Sequence, residues 1–215
     1  MNSFTKRLVY DDAKHTYTVD GVKLPSVTSI VAPIKAGDYE VDNAVLNQAK
    51  ERGSKIHEKC ADYDFGAISE ESSVNPDIAA YLKGWIDFSK DYQPEWLYIE
   101  QQMCVSDYAG TVDRIGIIDG KPVVVDIKTT TSMDRASKIA LCAQIAGYVN
   151  LTENNTDLKI ETKDCFGVQL KRDGTYTVIR VKDVETKYNF RSFCLFAELL
   201  GLKKLVKGDK RVVTE

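Results

Sequence analysis

Two aspartates and a lysine, Asp113, Asp126 and Lys128, are the residues of this chain whose types and spacing point to chemistry. They fall in residues 110–130, GTVDRIGIIDGKPVVVDIKTT. The runs 111–118 and 121–127 are rich in Ile and Val, and Asp119-Gly120 stands between them. An Asp-Gly step supplies the positive φ angles of a two-residue type I′ turn, so the stretch predicts a β-hairpin. Counting back from the turn sets Ile118 opposite Lys121, Arg114 opposite Val125 and Asp113 opposite Asp126. The last is a non-hydrogen-bonded pair, the class with Cα atoms about 4.5 Å apart, and like charges directly opposed repel. Lys128 lies two residues beyond Asp126 and points to the same face. Apolar residues on both faces predict burial, where uncompensated like charges are costly. Two readings follow. Lys128 compensates alone, as a structural ion-pair cluster, or the carboxylates hold a divalent cation. Hard oxygen ligands suit Mg²⁺ or Mn²⁺, and the lysine would then orient an attacking water or stabilise charge at a phosphorus centre.

The elements around the hairpin must position these groups. Residues 42–62 predict a helix with Val45, Ala49, Gly53, Ile56 and Cys60 on one stripe. A glycine there costs about 1 kcal/mol relative to alanine, which close approach to another backbone would justify. His57, one of two histidines, follows the buried position Ile56; by itself it reads as an exposed helical residue. Residues 64–75 read as a polar loop. A second helix begins near Pro76, runs to Tyr92, and packs beside the first through Ile78, Leu82, Trp85, Ile86 and Phe88. Residues 95–105 form a strand, with Trp96, Tyr98, Glu100 and Gln102 on one face and Leu97, Ile99, Met103 and Val105 on the other. Glu100 is thereby expected among aromatic neighbours.

Upstream, residues 8–31 predict a small β-unit, with a strand at 17–19, a turn at Asp20-Gly21 and Ser26 capping a short helix. His15 reads as a surface residue. Downstream, residues 129–134, TTTSMD, form a polar loop at the mouth of the hairpin. A helix over 136–151 places Gln144 and Tyr148 on one face. Residues 164–182 form a hairpin around Asp173-Gly174, residues 183–205 an amphipathic helix, and the cationic tail a solvated end. This order predicts the α/β class, a central mixed β-sheet flanked by helices.

Composition bounds the function. The chain has 215 residues, 43% hydrophobic and 28% charged, enough for one well-buried domain. No apolar run approaches the roughly 20 residues of a membrane-spanning helix, and the N-terminus lacks the apolar core of a signal peptide, so a cytoplasmic protein is expected. Cys60, Cys104, Cys142, Cys165 and Cys194 include no C-x-x-C pair, which removes zinc-ribbon spacing and predicts reduced, mostly buried thiols. A net charge of −3 is unlike that of a protein that passively coats DNA. It leaves room for an enzyme whose acidic site is neutralised locally by cations.

Together, Asp113 and Asp126-Ile127-Lys128 resemble the PD-(D/E)XK nuclease superfamily, with Asp126-Ile127-Lys128 as the (D/E)-X-K element. Arg52-Gly53-Ser54-Lys55-Ile56-His57 resembles the R-G-x-x-x-H helix that brings a histidine to the metal in its RecB-like branch, and Gln144 with Tyr148 resembles the Q-x-x-x-Y motif that follows. Val112 stands where the family name has proline. The resemblance implies a restriction-endonuclease-like core over about 42–182, within a single nuclease-like domain spanning 1–215. The β-unit 8–31 and the helix 183–205 would be additions to it. It implies Mg²⁺ or Mn²⁺ held by His57, Asp113, Asp126 and the Ile127 carbonyl, with Lys128 orienting water and Gln144 and Tyr148 positioning the strand. Arg52, Glu100 and Thr129 would support the metal or contact DNA. The iron–sulfur cluster of some RecB-like nucleases is not expected, because the cysteines are scattered. The implied activity is that of a metal-dependent DNA nuclease, foremost an exonuclease of phage or mobile-element recombination. Its partners would be DNA and a single-strand annealing or other recombination protein, with no membrane and with homo-oligomerisation left open. The alternatives are a non-catalytic nucleic-acid or recombination-protein binding module on the same fold, and a sequence-specific endonuclease.

Overall fold

The computed structural model describes residues 3, 5–35, 43–70, 72–130, 132–181, 193–195 and 198. A three-stranded antiparallel sheet comes first: β1 (Leu8–Asp11), β2 (Thr16–Val19) and β3 (Val22–Leu24). Asp20 and Gly21 both have positive φ, 51° and 78°, as the turn between β2 and β3 requires. Helix α1 (Val27–Val31) follows, its N-cap Ser26 accepting from the Ser29 N–H. The expected β-unit and cap are both present.

Helices α2 (Asn43–Asp64) and α3 (Pro76–Tyr92) precede the main sheet. Asn75 caps α3 by accepting from the Asp77 N–H, and Pro76 takes the first helical position, where its missing N–H costs nothing. The sheet contains β4 (Glu95–Cys104), β5 (Ala109–Ile118), β6 (Lys121–Lys128), β7 (Phe166–Leu170) and β8 (Tyr176–Arg180), in that order across its width. Only β6 and β7 run parallel, and α4 (Arg135–Asn155) connects them. The fold is thus α/β with a mixed five-stranded sheet, as expected. Among the described residues no helix is long and apolar enough to cross a membrane.

The sheet separates two cores. On one side α1 and α4 bury Val27, Ile30, Leu141, Ile145 and Tyr148 against Val112, Ile115 and Val124. On the other, α2 and α3 bury Ile56, Cys60, Trp85 and Phe88 against Val123, Val125, Ile127 and Phe166. The alternation of β6 divides it cleanly between the two. Cys60, Cys104, Cys142 and Cys165 are buried thiols, and Cys194 is half-buried. The small sheet packs on β4 and β5 through Tyr17, Val19, Leu24, Cys104 and Ala109. The Tyr17 and Thr111 hydroxyls hydrogen-bond at 2.8 Å.

The central hairpin has the expected register from Ile118/Lys121 to Arg114/Val125. Asp119 and Gly120 adopt φ of 51° and 74°. The paired ladder of β5 and β6 ends there, so Asp113 and Asp126 are not a ladder pair. Instead the Asp113 side chain reaches β6, where its Oδ2 accepts from the Ile127 N–H at 2.7 Å.

Strand β4 departs from the expected alternation. A bulge between Trp96 and Tyr98 sends Trp96 to the α2/α3 core, stacked on Trp85 at 5.9 Å, and Tyr98 to the opposite core. The two therefore do not share a face, and Glu100 has charged rather than aromatic partners. A bulge adds one residue to one strand and reverses the phase beyond it. Helix α4 runs from Arg135 to Asn155, longer than the expected 136–151. Its last turn is held by Asn155 Nδ2, which donates to Cys104 O. The expected helix 183–205 and the tail lie outside the described residues, apart from helical residues at 193–195 and 198. There Phe193 is buried, its ring 4.9 Å from that of Tyr108.

Candidate metal centre

Burial of Ile56 and Cys60 fixes the rotation of α2, and His57, next on the helix, is thereby set over β4 and β5. Its Nδ1 lies 3.6 Å from Asp113 Oδ2 and 3.7 Å from Glu100 Oε1. One ligand atom from each of His57, Glu100 and Asp113 falls within 4.8 Å of the others. Glu100 has a φ of 49°, a left-handed conformation on a strand. Such an outlier costs of order 1–3 kcal/mol and persists only where the surroundings over-determine it.

Here the surroundings are Arg114. Its guanidinium is fully buried and over the Trp85 ring, 5.3 Å from the centroid. Nη1 donates to Glu100 Oε1 at 2.9 Å and to Asp113 O at 2.7 Å, and Nε donates to Asp64 Oδ2 at 2.6 Å. Asp64 also accepts from Trp85 Nε1. Asp64 and Arg114 were not foreseen as part of the site. The signal for Arg114 is an arginine inside an apolar strand, which can be buried only with partners. For Asp64, fifty residues upstream, the sequence holds none.

A second set adjoins the first. Lys128 Nζ stands 2.7 Å from Asp126 Oδ2 and donates to Gln144 Oε1 at 3.1 Å. Gln144 Nε2 donates to Asp126 Oδ1 at 2.8 Å and to the Tyr148 hydroxyl at 3.1 Å. Helix α4 therefore brings Gln144 and Tyr148 to the (D/E)-X-K strand. Gly110 lets it approach: an added Cβ would lie 2.9 Å from Tyr148 Cε1. The Ile127 N–H joins the two sets through Asp113.

The structure thus groups the expected ligands differently. Glu100, expected in support, stands with His57 and Asp113, because the positive φ re-aims its side chain. Asp126 is engaged by Gln144 and Lys128, and Ile127 reaches the cluster through its N–H, where its carbonyl was expected to act. Arg52 is half-buried on α2, and its Nε is buried without a hydrogen-bond partner. Thr129 lies beside Gly53, where an added Cβ would stand 3.4 Å from its Oγ1. That is ordinary contact, and it sets α2 beside the end of β6.

Electrostatics favour added positive charge. Burial raises the Asp113 carboxyl above its ordinary value, more than the charges of His57 and Lys128 lower it. Burial likewise raises Asp126, with Lys128 opposing. Burial pulls the His57 imidazole down, but Asp113, Glu100 and Asp126 together outweigh it, and its pKa rises. Burial lifts the Tyr148 phenol far up, so it stays protonated. Asp126 Oδ2 is buried, with the Lys128 ammonium 2.7 Å away as its partner. One imidazole with two carboxylates is a donor set that fits Mn²⁺ or Mg²⁺.

The cluster opens into a groove of about 920 Å³, walled by the small sheet on one side and α2 on the other. His57, Glu100 and Tyr148 line it, with Tyr10 and His15 from the β1–β2 hairpin. His15 is exposed, as expected, and its Nδ1 is 2.7 Å from the Tyr10 hydroxyl. Compared with known proteins, the chain matches no family model and no curated protein.

Proposed function

We propose that the chain is a metal-dependent DNA nuclease that hydrolyses phosphodiester bonds, and foremost an exonuclease of phage or mobile-element recombination. The observation that carries this reading is the meeting of His57, Glu100 and Asp113 with the adjoining Asp126–Lys128–Gln144–Tyr148 set, beside a groove that His57, Glu100 and Tyr148 line. The resemblance of Asp113 and Asp126-Ile127-Lys128 to the PD-(D/E)XK superfamily supports it. His57, Glu100 and Asp113, with Asp126 adjoining, would hold Mg²⁺ or Mn²⁺. Bound there, such an ion supplies a water of lowered pKa and neutralises charge on the scissile phosphate.

The chain's own residues do the rest. Lys128 has three N–H donors. Asp126 and Gln144 occupy two of them, and the third is left to hold the attacking water or a phosphate oxygen. Gln144 locks Lys128 and Asp126 in register by contacting both. Tyr148 accepts from Gln144 and has its own hydroxyl proton for the strand. Arg114 keeps the Glu100 carboxylate turned towards His57.

The test is cleavage of linear, circular and single-stranded DNA with Mg²⁺, Mn²⁺ or EDTA, beside Lys128→Ala. Metal-dependent loss of linear DNA, abolished in folded Lys128→Ala, is expected. Failure to cleave any substrate, or full activity in that variant, overturns the reading.

A further inference from the structure

We infer that the groove over the His57–Glu100–Asp113 cluster takes an unpaired polynucleotide strand in preference to a duplex, with Tyr10 and Phe65 as stacking platforms. This rests on the nucleic-acid part of the reading above. The first observation is charge. Among the described residues Asp12, Glu58, Asp62 and Glu100 line the groove with one lysine, Lys50; the cations behind the lining are already taken, Lys59 by Asp62 and Glu58 and Arg114 by Glu100. Duplex affinity comes chiefly from cations set against phosphates, and a duplex carries one charge per about 1.7 Å of axis, twice the density of one strand. A groove without surplus cations has little to set against that density. It is compatible with a single strand whose reacting phosphate lies at the cation cluster and whose affinity comes from its bases.

The second observation is where the aromatic rings stand. The Tyr10 and Tyr17 rings pack against each other at a tilt of 31°, with centroids 4.7 Å apart, and the Tyr10 hydroxyl is tied to His15 Nδ1. Tyr10 is therefore held in place on the wall formed by the small sheet. Phe65, just past the end of α2, is 69% exposed. A lone exposed phenyl is ordinary, but this one lies on the groove lining, with Tyr10 from the other wall. Base–aromatic stacking tolerates any sequence, because every base has a π-face. In a duplex those faces are already stacked on their neighbours.

The experiment is fluorescence anisotropy of a labelled 15-nucleotide single-stranded DNA and of the same strand annealed to its complement, with Ca²⁺ as the cation. The single strand is expected to bind at least about tenfold tighter. Phe65→Ala is expected to weaken single-strand binding about 5- to 100-fold, as loss of one stacking contact does, with thermal unfolding unchanged. Tyr10→Leu, which keeps an apolar side chain against Tyr17, is expected to do the same. Equal or tighter duplex binding, no binding of either, or wild-type affinity in both variants overturns the inference. Cleavage is scored separately. Strand-selective, Phe65-dependent binding without cleavage of any DNA would retain this inference and overturn the nuclease. Lys128-dependent cleavage without that selectivity would do the reverse.

Discussion

Arg114→Met is the perturbation that most directly probes how the candidate centre is held. Its guanidinium is fully buried and faces two carboxylates of unlike exposure. The Asp64 side chain is 2% exposed and that of Glu100 34%. Removing one member of a buried ion pair costs about 3–5 kcal/mol, because the other charge is left uncompensated. That cost belongs to Asp64. The Glu100 contact is part-screened by solvent, and its coupling is expected to be about 1 kcal/mol or less. Burial raises the Asp64 carboxyl more than Arg114 lowers it, so desolvation outweighs the pairing. Asp64→Asn keeps an acceptor for Trp85 Nε1 and removes the charge. The Asp64→Asn/Arg114→Met double variant is therefore expected to be more stable than Arg114→Met alone. The assay is urea unfolding followed by circular dichroism, as a double-mutant cycle. Arg114→Met should lose about 3–5 kcal/mol, and the coupling with Asp64 should exceed that with Glu100. Additive losses in the Asp64 cycle, or a larger coupling in the Glu100 cycle, would refute this reasoning.

Two further expectations concern the same centre. Asp113, Asp126 and His57 all have raised pKa values in the folded protein, against ordinary values of 3.8 for the acids and 6.5 for the imidazole. The fold therefore binds these protons more tightly than the unfolded chain. The stability this contributes is complete below the unfolded values and is lost as pH rises through the folded ones. A cation competes with the same protons, so the rise in melting temperature on adding Mn²⁺ should be larger near about pH 8 than near about pH 6; an equal or opposite difference would contradict the ligand set. Gly110→Ala should cost about 1–3 kcal/mol in urea unfolding through overpacking against Tyr148, and an unchanged midpoint would show that the ring can yield.

Much of this architecture was legible where local chemistry leaves one choice. Asp119-Gly120 admits only a tight turn, and its register places Arg114 opposite Val125. Asn75-Pro76 starts a helix, and spacing of four puts Gln144 beside Tyr148. The end of the hairpin was not legible. The ladder stops because the Asp113 carboxylate takes up the Ile127 N–H, a side-chain contact that no alternation rule anticipates. The partners of Glu100 were missed for a similar reason. A bulge at Trp96/Tyr98 and a left-handed residue within β4 break the period of two on which its face was assigned. Asp64 and Arg114 meet across fifty residues of chain, and neither position by itself reveals the other.

The amide of Gln144 has a consequence for the direction of the hydrogen bonds around it. Its oxygen faces an ammonium and its nitrogen faces a carboxylate and a phenol. A primary amide can satisfy both ends at once without carrying charge; a glutamate would repel Asp126, and a lysine would repel Lys128. With Nε2 committed as donor, Oε1 can only accept, so Lys128 must donate to it. Tyr148, already an acceptor from the amide, is left to point its own proton elsewhere, and the groove lies beside it. One neutral side chain thus gives the network a polarity. At the Tyr148 end the hydroxyl proton is left for an acceptor on the groove side.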